Sequence, residues 1–230
     1  MEIWAKFLIL FLGAYLLGSI PMSFLVAKAR GVDLRKQGSQ QVGGGNVWRT
    51  TSRTLGILVG IYDLSKGVVI AVCAWQWGLE PGLQFLAAIG AIIGHNWPVF
   101  LRFHGGRGIA TTLGLTIFMP IINRGDITFW PLIACGAVGI GSLIYFRRTP
   151  VPVLLALIAM PIASTVVKEP WLMILGYVGI LVVAVIKRLT AQASTEKPKT
   201  GMAQVLFNRF FHDRDVADRA AWVHRKAADK

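Results

Sequence analysis

Apolar residues are gathered in seven blocks along the chain, each separated from the next by a short polar or glycine-rich segment. A helix needs about 20 predominantly apolar residues to cross the hydrocarbon core of a bilayer. Most blocks approach that length, although several are shorter or are interrupted by glycine and proline. The pattern predicts an all-α fold, a polytopic membrane bundle of about seven transmembrane helices. The predicted spans are 3–27, 55–77, 83–101, 109–122, 127–146, 151–167 and 171–186.

The composition also indicates a membrane protein. Hydrophobic residues make up 54% of the chain and charged residues 15%, with a mean hydropathy of +0.58. Soluble domains average about 25% charged residues. Seven spans of about 20 residues use roughly 140 positions, which leaves short loops and one tail. The sequence therefore predicts a transmembrane domain over 1–189 and a basic tail over 190–230.

The net charge is +13, from 24 Lys and Arg against 11 Asp and Glu. In a soluble protein this surplus would suggest a nucleic-acid partner, but here the positions of the charges explain it. Basic residues follow the odd-numbered spans, and the other connections hold few of them. By the positive-inside rule the N-terminus lies outside, and the odd connections and the C-terminus are cytoplasmic. We therefore expect the lipid bilayer as a partner and no nucleic acid. The basic residues after odd spans are Lys28, Arg30, Arg35, Lys36, Arg49, Arg53, Arg102, Arg107, Arg147, Arg148, Lys187 and Arg188.

The first span has an alternative interpretation as a cleaved signal peptide, because Ala27-Lys28-Ala29 imitates a signal-peptidase site. The apolar run is long for such a peptide, and it begins after Glu2 rather than after a basic cluster. Cleavage would also require export of the most basic loop. We therefore interpret the first span as a retained anchor.

The first predicted cytoplasmic loop contains a glycine-rich segment at 38–50. Glycine has no Cβ, so backbone N–H groups in such a segment can turn toward a phosphate group. Ser39, Asn46 and Arg49 would add side-chain donors. The alternative is a flexible linker, because glycine-rich segments are common connectors.

The second predicted cytoplasmic loop contains Gly105-Gly106-Arg107-Gly108, which runs directly into the fourth span. Unpaired N–H groups and the positive end of the helix dipole attract anions at the start of a helix. Arg107 adds a fixed two-pronged charge that suits phosphate. The spacing predicts a phosphate-binding loop. The alternative is an ordinary turn in which Arg107 follows the positive-inside rule.

Three more ionisable residues lie in or at the end of apolar spans. Asp63 and Lys66 are at positions i and i+3 and share a helical face, which predicts a structural ion pair. His95 ends the third span, where a histidine bonded to a backbone group is commoner than a base or a ligand. No second His, Cys or carboxylate lies near His95 at metal-binding spacing, so we expect no metal and no cofactor. Cys73 and Cys135 lie inside apolar blocks without CxxC spacing, which excludes a disulfide scaffold and predicts packing roles.

Taken together, these segments resemble the PlsY family, the acyl-phosphate:glycerol-3-phosphate acyltransferases of bacterial membranes. The resemblance covers the first half of the chain by motif and the second half by the number of spans. The segments occur in the family's order and on the family's side of the membrane. They are Gly18-Ser19-Ile20-Pro21, the 38–50 loop, Asp63 with Lys66-Gly67, Gly94-His95-Asn96-Trp97-Pro98-Val99-Phe100 and Gly105-Gly106-Arg107-Gly108-Ile109-Ala110-Thr111.

The resemblance implies transfer of a fatty acyl group from acyl phosphate to the 1-hydroxyl of glycerol 3-phosphate, which gives lysophosphatidate and inorganic phosphate. It also implies a bacterial inner-membrane protein whose active site faces the cytoplasm. The implied catalytic residues are Arg49 and Arg107, which would hold phosphates, and Ser39, which would orient the acceptor. The backbone of the glycine loop would receive the donor phosphate. The implied substrate- or phosphate-binding residues are Gly38, Gly43, Asn46, His95, Gly105, Gly106, Gly108 and Thr111.

The sequence departs from the family's pattern at several positions. The family has Lys in place of Arg107, which keeps the charge but changes the hydrogen bonding. Its His and Asn near the last span, on the acceptor side, are replaced by Val182 and Val185, and its Glu has a displaced counterpart at Glu196. In the first loop, Gln40, Gln41, Gly44 and Gly45 replace the family's Gly, Asn, Ala and Thr.

These departures leave an alternative function open, that of a divergent relative that binds phosphorylated ligands or lipid without catalysis. A small transporter is a further alternative, although only the second span carries a charge pair and the polar loops gather on one side. His224 and Asp229 fit the His-x4-Asp pair of acyl-CoA-dependent acyltransferases. Such a spacing arises easily by chance in a polar tail, so it carries little weight.

Within the tail, 193–199 is typical of a linker, and an apolar stripe follows it opposite several arginines. The stripe predicts an amphipathic helix. That helix would lie on the anionic inner leaflet or pack against the bundle or a partner.

Overall fold

The computed structural model describes residues 2–147, 150–190, 201–218 and 222 of the chain. Within these residues all regular structure is helical, apart from one isolated bridge between Arg124 and Ile127. The prediction of an all-α fold is confirmed. The helices are α1 (Ile3–Ser19), α2 (Met22–Lys28), α3 (Gly44–Thr50), α4 (Arg53–Gln76), α5 (Pro81–Asn96), α6 (Ile109–Ile122), α7 (Trp130–Phe146), α8 (Pro150–Val166), α9 (Trp171–Leu189) and α10 (Met202–His212), and a short 3₁₀ turn spans Val99–Leu101.

Four segments of the described chain are long and apolar enough to cross a membrane. The other three apolar helices, α6, α7 and α8, have only 14 to 17 residues. Many apolar side chains on these helices face outward, as lipid contact requires; Ile144 of α7, for example, is 72% exposed. The four spans are Ile3–Lys28, Arg53–Gln76, Pro81–Leu101 and Trp171–Leu189.

The first apolar block is two helices rather than one continuous span. Proline has no N–H, and it disfavours the helical conformation at the residue before it. Pro21 therefore ends the first helix, and Ile20 has an extended backbone with ψ 111°. The backbone carbonyls at the end of α1 are consequently free to accept hydrogen bonds from elsewhere.

Helix α5 lies at the centre of the bundle and packs against α1, α4, α6 and α9. Small residues allow its backbone to approach α1 closely, as is common between membrane helices. A Cβ at Gly94 would lie 2.1 Å from Tyr15 O, and a Cβ at Gly18 would lie 2.2 Å from Ala91 O. This central position fixes the last residues of α5, where His95 is located.

The N-terminal end of α5 lies beside polar groups that satisfy one another. Gln84 and Asn123 exchange two side-chain hydrogen bonds of 3.1 and 2.8 Å. The buried Glu169 carboxylate accepts from the hydroxyls of Thr128 and Ser164. These closed pairings indicate a structural role at this end of the bundle.

The cysteines are both free thiols and partly buried. Cys135 packs against the main apolar core, and Cys73 packs against a smaller cluster around Leu83 and Ala87. Both therefore contribute to packing.

Candidate active site

Three buried ionisable side chains meet at the C-terminal end of α5. Lys66 Nζ lies 2.9 Å from Asp63 Oδ1, and His95 Nδ1 lies 3.4 Å from the same carboxylate oxygen. The i, i+3 pair is thus formed, and His95 joins it instead of bonding to a backbone group. We refer to these three residues as the polar triad.

Lys66 links the polar triad to the end of α1 by hydrogen bonds. Lys66 Nζ donates to Gly18 O at 3.1 Å and to Ile20 O at 2.8 Å. Gly18 O is left open where Pro21 interrupts the helix, whereas Ile20 O also accepts from Met22 N at 3.1 Å. Thr111, whose side chain is fully buried, donates from Oγ1 to Asp63 O at 2.8 Å. Thr111 therefore ties α6 to α4, and its hydroxyl is already engaged by the protein.

The glycine loop, residues 105–108, lies directly on His95. Gly106 N donates to His95 O at 3.0 Å, and a Cβ on Gly106 would lie 2.2 Å from His95 Nε2. No side chain therefore fits at this position. Gly108 caps α6 with a φ of 69°, in the left-handed region that favours glycine. The loop thus enters α6 with backbone N–H groups at the positive end of the helix dipole.

The first polar loop is built around the side chain of Asn46, which is buried. Its Nδ2 donates to the carbonyls of Leu34, Gln37 and Gln41 at 3.0 to 3.1 Å. Its Oδ1 accepts from Ser39 N at 3.0 Å. Because these bonds use both ends of the amide, the structure gives Asn46 the role of a scaffold rather than a free donor.

The other first-loop residues lie around this scaffold. Gly38 has a φ of 63°, and a Cβ there would lie 2.2 Å from Asn46 Oδ1. Gly43 is the N-cap of α3, a short helix that the sequence pattern did not predict. Ser39 is partly buried, whereas Arg49 is exposed on the last turn of α3.

A first, narrow cleft lies on one side of the glycine loop. All three triad residues line it, so a bound ligand would meet both charged and hydroxyl groups. The first polar loop reaches it through Val42, whose carbonyl would lie 2.6 Å from a Cβ on Gly106. The lining residues are Gly18, Ser19, Ile20, Pro21, Ser23, Val42, Asp63, Lys66, His95, Pro98, Gly105 and Gly106.

A second cleft, with a cavity volume of about 110 Å³, lies on the other side of the loop. Arg107 enters it and donates from one terminal nitrogen to Lys187 O at 3.0 Å. Its other terminal nitrogen lies 2.9 Å from the carboxylate of Asp213. Burial lowers the pKa of Arg107, although a guanidinium stays protonated at neutral pH. The lining residues are Arg107, Ile109, Pro150, Val153, Leu157, Ala184, Lys187, Arg188 and Asp213.

The residues predicted for the site are thus divided among the first cleft, the second cleft and the first polar loop. Gly105, Gly106 and His95 line the first cleft, and Arg107 lines the second. Ser39 and Arg49 line neither of the two, so the structure does not bring the two arginines into one cleft. Within the described residues no cluster of three His, Cys, Asp or Glu could hold a metal ion.

A model of the family described as "Glycerol-3-phosphate acyltransferase" matches residues 8–194, which is most of the chain. The chain belongs to the glycerol-3-phosphate acyltransferase family. The match takes in both polar loops, the polar triad and both sides of the glycine loop. It also accounts for the apolar helices, since the family's structural neighbours are integral membrane proteins. The chain is accordingly a multi-pass membrane protein.

Named relatives cover from three quarters to nearly all of the chain. Glycerol-3-phosphate acyltransferase 4 of Dehalococcoides mccartyi (strain CBDB1) is 37% identical over 230 residues, which is 96% of this chain and 95% of that protein. A glycerol-3-phosphate acyltransferase of Desulforudis audaxviator (strain MP104C) is 35% identical over 175 residues, 76% of this chain and 84% of that protein.

A solved structure shares the fold of this glycerol-3-phosphate acyltransferase family member. It is the glycerol 3-phosphate form of PlsY (YgiH), an integral membrane glycerol 3-phosphate acyltransferase, with 28% identity and a TM-score of 0.68. The similarity covers 80% of this chain and 88% of that one. The lysphosphatidic acid form of the same protein has 27% identity and a TM-score of 0.66.

The family match ends before α10, but the structure brings the tail to the site. Arg188 donates to Phe210 O at 2.9 Å, and Arg209 donates to Leu189 O at 2.8 Å. The described part of the tail thus packs against the bundle, one of the two arrangements considered from the sequence. No pattern in the sequence indicates Asp213, because nothing in its polar surroundings links it to Arg107, 106 positions earlier. His224 and Asp229 lie outside the described residues.

Proposed function

We propose that this chain transfers a fatty acyl group from acyl phosphate to the 1-hydroxyl of glycerol 3-phosphate. The products are lysophosphatidate and inorganic phosphate. The observation that carries the proposal is a glycine loop at the start of a helix, between two clefts, in a chain whose family is named for glycerol 3-phosphate. Both substrates are phosphorylated, and such a loop is suited to bind phosphate. The apolar wall of the second cleft suits the acyl chain.

The reaction needs positioning more than an added nucleophile, because acyl phosphate is already activated. The acceptor hydroxyl oxygen attacks the acyl carbonyl carbon, and the carbon–oxygen bond to phosphate breaks. The hydroxyl proton passes to a phosphate oxygen, which leaves as part of inorganic phosphate. His95 is assigned a positioning role, since Asp63 faces its Nδ1 and Gly106 faces its Nε2.

The proposed roles follow the two loops. The backbone of the glycine loop and Arg107 receive the donor phosphate and stabilise the charge that develops on it. Ser39 and Arg49 bind the phosphate of the acceptor, with Gly38, Gly43 and Asn46 shaping their loop. No cofactor takes part. The assignment of Arg49 requires the ligand to bridge from the surface of α3 to the first cleft.

Turnover should require both proposed substrates. We expect purified protein in lipid cubic phase to release inorganic phosphate when given palmitoyl phosphate and glycerol 3-phosphate, and to form lysophosphatidate in equal amount. Glycerol in place of glycerol 3-phosphate should not support release, because the loop would have no acceptor phosphate to bind. Palmitoyl-CoA is the matched donor control. Formation of lysophosphatidate from palmitoyl-CoA but not from palmitoyl phosphate would contradict the proposal.

A specific observation favours a second candidate, a relative that binds phosphorylated ligands without catalysis. Val182 and Val185 replace polar residues in the family's pattern, and in the structure both lie on α9, the helix that borders the second cleft. Binding of glycerol 3-phosphate without any phosphate release would support that candidate.

We further propose that α6, α7 and α8 also cross the bilayer of the bacterial inner membrane, which gives seven spans with the N-terminus outside. The loops that hold the two clefts, and the tail, would then be cytoplasmic. The basic residues support this orientation, because they follow α2, α5, α7 and α9. An odd number of spans places the two termini on opposite sides of the membrane.

Reporter fusions test the orientation and the number of spans together. A green fluorescent protein fused after Lys230 should fluoresce, because it would fold in the cytoplasm. Alkaline phosphatase inserted at Glu80 or at Asp126 should be active, because both connections would be external. Phosphatase activity after Lys230 would mean that an even number of helices crosses the membrane, as four spans alone would require.

A further inference from the structure

The tail covers the second cleft in the structure. Its described residues, 201–218, contain α10 and the turn that follows it, in which Asp213 has a left-handed backbone with φ 57°. Arg188 holds this segment through Phe210 O, and Arg209 holds it through Leu189 O and an ion pair of 2.6 Å with Asp215. These contacts bring the Asp213 carboxylate to the wall of the cleft.

Asp213 pairs with Arg107, the residue proposed to bind phosphate. Arg107 binds phosphate best through two parallel N–H bonds, but one terminal nitrogen donates to Lys187 O. The other lies 2.9 Å from Asp213 Oδ1 and 3.4 Å from Asp213 O. The Nε of Arg107 is buried and has no hydrogen-bond partner among the described residues. Two of the five N–H donors of Arg107 are therefore used by backbone carbonyls, and its charge is paired with the Asp213 carboxylate.

The charge around Asp213 exceeds what one carboxylate can neutralise. Arg107, Lys187, Arg188 and Arg214 all act electrostatically on it. Burial raises the pKa of Asp213 above its usual range, although these cations act in the opposite direction. The surplus of positive charge, and not the burial, favours a ligand of higher negative charge at this position.

The cleft has an apolar side as well as a basic side. Ile109, Val153, Leu157 and Ala184 line it next to the cations. These residues come from α6, α8 and α9, so the apolar wall is formed by membrane helices. A ligand that fits both sides carries a phosphate joined to an alkyl or acyl chain.

We propose that the second cleft binds the phosphate of an acyl phosphate through Arg107, Lys187 and Arg188, and that Asp213 occupies the phosphate position while the tail is docked. The inference rests on the proposed function for the identity of the ligand. A phosphate and the Asp213 carboxylate repel each other, so they exclude each other at Arg107. The tail is therefore a competitor that the donor must displace.

Substitution of Asp213 by asparagine tests this competition. Asp213→Asn keeps the size of the side chain and removes its charge. We expect the full-length protein in detergent to bind inorganic phosphate about tenfold more tightly after the change, as measured by isothermal titration calorimetry. Hexyl phosphate should bind more tightly than inorganic phosphate to both proteins, because the apolar wall adds contacts.

Asp33→Asn is the matched control, since Asp33 also pairs with an arginine, Arg35 at 2.8 Å, but in an exposed segment. Its phosphate affinity should equal that of the parent. The gain in phosphate affinity should disappear in the double variant Arg107→Ala/Asp213→Asn. That loss would locate the bound phosphate at the second cleft. Unchanged or weaker phosphate binding in a folded Asp213→Asn variant would overturn the competition, and equal affinities for the two phosphates would overturn an acyl-phosphate site. Because binding is measured without turnover, a catalytically inactive protein would contradict only the proposed function.

Discussion

Replacement of Lys66 by methionine is expected to reduce the free energy of unfolding by about 3–5 kcal/mol, the usual cost of breaking a buried ion pair by removing one partner. The Lys66 side chain is only 1% exposed and holds Asp63, Gly18 O and Ile20 O. Methionine fills similar volume but leaves the Asp63 carboxylate without its lysine partner and Gly18 O without this donor. The midpoint of thermal unfolding in detergent should fall by roughly 10 °C.

Lys36→Met is the matched control, because Lys36 is exposed, and its midpoint should stay within about 2 °C of the parent, as surface substitutions usually do. The double variant Asp63→Asn/Lys66→Met should recover part of the loss, since no buried charge remains without its partner. A Lys66→Met protein as stable as the parent would show that the pair contributes nothing to the bundle.

The second large effect is expected on catalysis. Arg107→Ala should reduce kcat/KM for acyl phosphate by about 100-fold or more, the range seen when one donor to a developing negative charge is removed. Arg107→Lys should retain an intermediate rate, because lysine keeps the charge but not the two-pronged geometry. Phosphate release in the assay with glycerol 3-phosphate measures both variants.

Arg102→Ala serves as the control for the loss of a positive charge near the same loop, because Arg102 is exposed and lies outside both clefts. Its rate should match that of the parent. Arg49→Ala should also lose activity if the first loop binds the acceptor phosphate. Full activity in Arg107→Ala would remove Arg107 from the site and, with it, the role given to the second cleft.

Much of the fold follows from local patterns in the sequence. The fourth span was predicted at 109–122, and α6 has these bounds because Gly108 and Asn123 end it on either side. The first span was predicted at 3–27 and is found at Ile3–Lys28, but Pro21 divides it into α1 and α2, which the apolar pattern alone does not show. Helix α3 was not predicted, because its glycines give little helical propensity and tertiary packing stabilises it. A Cβ at Gly56 of α4 would lie 2.7 Å from Trp48 Cβ.

The site depends more on long-range contacts, which a sequence pattern does not contain. The spacing of Asp63 and Lys66 predicts their ion pair, because residues three apart share a helical face. The addition of His95 to that pair requires the packing of α5 against α4. The glycine loop could be predicted as a loop that binds anions, but its contact with His95 could not. The ion pair between Arg107 and Asp213 depends on the packing of a tail that lies outside the family match.

The proline interruption after α1 has a consequence for how the site is held. In an unbroken helix the carbonyl of Gly18 would accept from the amide of Met22, one turn further along, but here Met22 N donates to Ile20 O at 3.1 Å. Because Pro21 stops that ladder, Gly18 O becomes available to Lys66 at a fixed point of the scaffold, and Ile20 O accepts from Lys66 as a second donor. Proline ordinarily weakens a helix, but here Pro21 provides the anchorage for Lys66. The position of Lys66 orients Asp63, and Asp63 in turn orients the imidazole of His95 against the glycine loop.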